Sequence, residues 1–121
     1  MDKSEGNMVK SNIVKKILII CMLCGSLFAS VYTQNCVSCH AKMPVKIDKF
    51  FYRYLLKYSS EENLKNALTS YLQNPTKEKT ILQEGLLNRF GVKKKTTLNE
   101  QDLKKAVDEY WDIYNVFGKL R

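Results

Sequence analysis

The residues best suited to chemistry stand together at Cys36-Val37-Ser38-Cys39-His40. Two thiols are three residues apart, and an imidazole follows the second directly. On one helical turn, positions i, i+3 and i+4 share a face, so all three groups can address one bound partner. C-x-x-C-H is the attachment signature of c-type haem. In that reading Cys36 and Cys39 form thioethers with the two vinyl groups, and His40 reaches the iron as proximal axial ligand. His40 is the sole histidine of the chain. Three other readings compete. A redox dithiol usually accompanies a βαβ pattern, which is not visible here. A structural zinc site wants four ligands, and no cysteine or histidine follows His40. A lone disulfide is the third.

Haem attachment of this kind requires export, and the N-terminus carries the pattern for it. Lys10, Lys15 and Lys16 precede an apolar run from Ile17 to about Ala29, with small residues Ala29 and Ser30 at its end. These are the n- and h-regions of a secretory signal. Leu27-Phe28-Ala29 and Val31-Tyr32-Thr33 are two imperfect small-x-small cleavage patterns. The expectation is a signal peptide over residues 1–33 and a haem domain over 34–121, the alternative being an uncleaved anchor. The run from Ile17 to Thr33 is at the lower limit for a membrane span, which favours cleavage. Cys21 and Cys24 lie inside the apolar run, follow no lipobox pattern and read as apolar filler.

The whole chain of 121 residues has a formal net charge of +8. Residues 34–121 hold 16 Lys and Arg against 10 Asp and Glu. A domain of that size buries a marginal core, which a covalently held apolar plate would complete. Basic charge on an exported protein points to acidic protein partners or an anionic membrane surface, with ordinary solubility as the plain alternative. Nucleic acid is not an expected partner, because the chain is exported and has no interleaved aromatic–basic motif.

The elements that must position the site read as helices. Pro44 ends the haem turn near Met43. Ile47, Phe50, Phe51, Tyr54, Leu55 and Tyr58 follow helical spacing. Ser59 with Glu62 makes a capping box for a second helix over Glu61 to Leu72, with Leu64, Ala67, Leu68, Tyr71 and Leu72 on its apolar face. Asn74-Pro75 reads as the start of a third helix that carries Ile81, Leu82, Leu86 and Phe90 and ends at Gly91. Val92 to Thr97 is a basic loop with Lys93-Lys94-Lys95, either a solvated connection or a docking patch for an acidic partner. The last helix starts at Asn99, with Asp102 at the capping-box position, and runs to about Phe117 with Gly118 as its stop. Its stripe is Leu103, Ala106 or Val107, Tyr110, Trp111, Tyr114 and Phe117. No run alternates with period two, so the expected fold class is all-α: about four helices plus the haem turn.

The chain resembles small monohaem class I c-type cytochromes of bacterial periplasms. The likeness begins at Cys36-Val37-Ser38-Cys39-His40. It resumes at Leu68-Thr69-Ser70-Tyr71-Leu72-Gln73-Asn74-Pro75, similar to a tyrosine–leucine–x–asparagine–proline segment of those proteins, and ends at Leu98-Asn99-Glu100-Gln101-Asp102-Leu103. The resemblance implies a cytochrome c-like bundle around one covalent haem c, periplasmic location (or anchorage to the inner membrane if the N-terminal segment is uncleaved), redox partner proteins, and dependence on the cytochrome c maturation machinery.

Two departures stand out. The family has a helix before the haem motif, and few residues separate Thr33 from Cys36. The family also places a distal methionine after the asparagine–proline pair, and no methionine follows Met43. Met43 lies too close to His40 to reach the other haem face and reads as a packing residue. Lys77, Lys79, Asn88 or a tyrosine could approach the iron, or the distal position stays open. Two functions follow: single-electron transfer, or a five-coordinate haem that binds a small gas against a distal wall of Ile81, Leu82 and Leu86. A third reading is an exported helical protein with a C-x-x-C dithiol. No enzyme is expected, since the only histidine is committed to iron.

Overall fold

The computed structural model describes residues 11–18, 29–117 and 119. The expectations for Lys10, most of the apolar run, Cys21, Cys24 and Gly118 lie outside the described residues. The fold is all-α, with no strand among the described residues. Residues 11–18 are helical and exposed. Five further helices follow: α1 (residues 31–40, its middle Thr33–Val37 π-helical and its end Ser38–His40 α-helical), α2 (Ile47–Tyr58), α3 (Glu61–Gln73), α4 (Glu84–Phe90) and α5 (Glu100–Tyr114). Among the described residues no helix is long and apolar enough to cross a membrane.

Helices α2, α3 and α5 bury the faces their spacing predicts. Phe51 and Tyr54 of α2, Leu64, Leu68 and Tyr71 of α3, and Leu103, Ala106, Val107, Tyr110 and Trp111 of α5 are buried. Phe51 is the centre, fully enclosed, with the rings of Tyr110, Trp111 and Tyr114 at 5.2, 5.7 and 5.8 Å. Ring pairs at such separations add to the burial of their area. The Tyr110 hydroxyl donates to the Ile47 carbonyl and pins α5 to the start of α2. Lys65 of α3 bridges Glu61 (2.6 Å) and Asp108 of α5 (2.9 Å) at the surface.

Three helix ends differ from expectation. The N-cap of α3 is Ser60, whose hydroxyl accepts from the Asn63 amide at 3.2 Å, whereas Ser59 closes α2 in the left-handed region (φ 61°). Asn74 ends α3 rather than starting a helix, its amide closing the ladder on the Ser70 carbonyl (3.1 Å). Beyond it the hydroxyls of Thr76 and Thr80 accept the Lys79 and Leu82 amides. Such local bonds compete with helix formation, so only Glu84–Phe90 is helical and Ile81-Leu82-Gln83 is not. Helix α5 stops at Tyr114: the Asn115 side chain donates to the Trp111 and Asp112 carbonyls (2.9 and 3.3 Å), satisfying the end of the ladder. Phe117 is therefore exposed rather than part of the buried stripe, although its ring stacks on Trp111. The Asn99 cap stands as expected, its side-chain oxygen 2.8 Å from the Asp102 amide.

The expected boundary between residues 33 and 34 falls inside α1. Tyr32 belongs to the core, 3 % exposed and stacked on Tyr110 at 5.7 Å.

Candidate functional site

Helix α1 presents Cys36, Cys39 and His40 at its C-terminal end. Its middle turn is widened: the Ser38 amide reaches back five residues to the Thr33 carbonyl. The Ser38 hydroxyl donates to Gln34 O at 2.6 Å, the acceptor an α-helical register would have given to that amide. Asn35 likewise uses its side-chain amide on Val31 O at 2.9 Å. Two short polar side chains thus support the π-helical turn on which Cys36 sits, and single π turns recur at functional sites. After His40 the chain tightens. The Lys42 amide bonds Cys39 O (3.3 Å) and the Met43 amide bonds His40 O (3.1 Å).

Both thiols are free. Cys36 is half-buried against the aromatic core, and Cys39 is exposed. Burial pushes the Cys36 thiol up, with the Lys93 ammonium acting the other way. His40 is half-buried, and burial, then Lys93, lowers its pKa. A neutral imidazole, the form that binds a metal, is therefore favoured at pH 7. Its Nδ1 is buried without a hydrogen-bond partner. The ring stands edge-on to Phe50, centroids 5.6 Å apart.

Phe50 connects His40 to a narrow apolar cleft of about 20 Å³, lined by Met43, Pro44, Val45, Phe50, Leu82, Leu86 and Phe90. One wall is the turn after His40 with the first turns of α2. The other is α4 and the residue pair before it. No residue of α4 is fully buried, and Phe90 is 46 % exposed. Two apolar walls meet here without closing on each other, in contrast to the dense packing around Phe51. The cleft as it stands has room for about one water, so a flat apolar group would fit between these walls only if they moved apart. Among the described residues no three His, Cys, Asp or Glu side chains, Cys36, Cys39 and His40 included, are placed so that together they could hold a metal ion.

Of the residues expected at a distal wall, Leu82 and Leu86 line the cleft, and Ile81 packs toward the main core instead. Lys77, Lys79 and Asn88 are not among the lining residues; Lys77 and Asn88 are exposed. Sequence reading missed Phe50 as a ring against His40, and Val45 and Phe90 as cleft walls. It also missed Lys93, which the fold brings near Cys36 and His40. The Lys93 amide donates to the Tyr71 hydroxyl (3.3 Å) and the Thr96 amide to Leu72 O (2.9 Å), so the basic loop is tied to the end of α3. The run of three lysines marked the loop, but nothing local marked its neighbour. No family model, curated protein or solved structure matches the chain.

Proposed function

We propose that the protein is an exported, periplasmic monohaem c-type cytochrome that carries single electrons. The observation that carries this reading is the C-x-x-C-H run at the end of α1, with His40 edge-on to Phe50 of the apolar cleft; neither thiol lines that cleft. Haem c, when bound, supplies an iron that alternates between ferrous and ferric states. Cys36 and Cys39 would hold it through thioethers. His40 would ligate the iron through its neutral ring, and Phe50 against that ring would limit its rotation. Met43, Val45, Leu82, Leu86 and Phe90 would offer the apolar surface that excludes water, and exclusion of water and axial ligation set the potential. No residue in this scheme makes or breaks a substrate bond.

A second reading, a five-coordinate haem that binds a small gas, is favoured by the far wall of the cleft. Leu82, Leu86 and Phe90 offer no strong iron ligand. Met43 is held beside His40 by its amide bond to His40 O, so it belongs to the proximal wall.

The test is protein made in a host with cytochrome c maturation. Covalent attachment predicts haem that stays on the chain through denaturing electrophoresis and resists acid–organic extraction. Cys39→Ala should reduce holoprotein yield. Haem that extracts from the wild type would exclude the assignment. Rapid carbon monoxide uptake by the ferrous protein, with a high-spin spectrum, would select the second reading over a six-coordinate carrier.

A further inference from the structure

The first turn of α1 bears on where the leader is removed, an inference that rests on the exported reading above. The sequence offers two candidate cuts, after Ala29 and after Thr33. The fold treats the residues between them as part of the domain. Ser30 caps α1: its hydroxyl accepts from the Thr33 amide at 3.1 Å, and its carbonyl accepts from the Gln34 amide at 3.0 Å. The same hydroxyl donates to the Glu109 carboxylate of α5 at 2.8 Å. Val31 packs against the core, and its carbonyl receives the Asn35 side chain. Tyr32 is 3 % exposed and stacks on Tyr110. A cut after Thr33 would delete a buried aromatic residue, the helix cap and the tie to α5. The helix that carries Cys36 would then begin only two residues before it.

We propose that a leader peptidase cleaves the Ala29–Ser30 bond, so that the mature protein begins at Ser30. The step is hydrolysis: the peptide C–N bond breaks, water leaves Ala29 with a carboxylate and Ser30 with an α-amino group. Ala29 supplies the small residue such enzymes require immediately before the cut. The new amino group is a cation at a helix N-terminus, which the helix dipole disfavours. Glu109, already bonded to Ser30, places a carboxylate beside it to offset that charge. Residues 30–33 then stay with the domain, and α1 keeps its full length.

The full chain, exported in a Gram-negative host with cytochrome c maturation, is purified from the periplasm. Its N-terminus is read by stepwise degradation and intact mass. Ser30 is the expected first residue; Gln34, or a retained leader, overturns the proposal. The N-terminus is read on the polypeptide whether or not haem is attached. Failure of the haem reading would instead appear as a chain that begins at Ser30 and carries no covalent haem. A second measurement uses a heterologous leader to produce chains starting at Ser30 and at Gln34. With the buried Tyr32 ring and the Ser30 cap gone, the Gln34 chain should melt at least about 10 °C lower or fail to accumulate. Equal melting temperatures would overturn the argument from Tyr32 and the proposal with it.

Discussion

At the scale of single residues, His40 and Met43 carry the sharpest expectations. The His40 pKa in the fold lies below its ordinary 6.5 because burial, then the Lys93 charge, disfavours the imidazolium. The unfolded chain therefore binds the proton more readily. Stability is at its full value above pH 6.5 and falls as the pH drops from there toward the lower folded value. Urea midpoints of haem-free protein at pH 7.5 and pH 5 should show this loss, and His40→Gln should show less of it. Asp108 does not confuse the comparison. Its Lys104 and Lys65 partners hold its pKa below the ordinary 3.8, so its contribution persists above that value and is lost only in stronger acid. Met43→Leu keeps the volume and polarity of a cleft wall and should leave the haem spectrum unchanged. A switch from low to high spin in that variant would make Met43 a ligand supplied by another molecule.

At the scale of elements, the turn between α2 and α3 separates two roles that one serine cannot fill. Ser59 has φ 61°, a region that costs a residue with a Cβ about 1–2 kcal/mol. Ser60 caps α3. Ser60→Ala should therefore lower stability by about 1 kcal/mol, a drop of about 4–8 °C in Tm, whereas Ser59→Gly should hold or raise it. The reverse order in thermal melts would restore Ser59 as the cap. The helix start was legible at this turn, but the cap is Ser60 and the residue three positions on is Asn63, so the capping box expected from Ser59 with Glu62 does not form. Either serine suits a plain N-cap, and only the backbone path out of α2 chooses between them. Asn74-Pro75 suits a helix start, yet the Thr76 and Thr80 hydroxyls take the Lys79 and Leu82 amides and hold the following segment out of a helix.

At the scale of the molecule, the aromatic centre and the cleft divide the work. Phe51 is enclosed by residues from α2 and α5, and α3 packs beside them. Phe51→Ala should cost about 3–5 kcal/mol, a large share of the 5–15 kcal/mol that holds a typical domain together. A urea midpoint within error of the wild type would contradict the core described here. The cleft side is less consolidated, with α4 contributing no fully buried residue. In the proposed cytochrome, attachment of haem consolidates that side, while the Phe51 cluster holds α5 against α2 in either state.

The sequence by itself determined the helical class, the buried faces of α2, α3 and α5, the Asn99 cap, and the spacing of Cys36, Cys39 and His40. Each is a local property: a period of 3.6 residues, or a side chain within four positions of its partner, survives without knowledge of the rest of the chain. Tertiary structure alone decided that Tyr32 belongs to the core, that Ile81 faces it while Leu82 faces the cleft, and that Lys93 approaches the thiol and imidazole. Those depend on which distant segments meet. Tyr32 and Tyr110 are 78 positions apart, and Cys36 and Lys93 are 57 apart. No local spacing rule encodes such pairings, because they arise from burying several amphipathic faces at once.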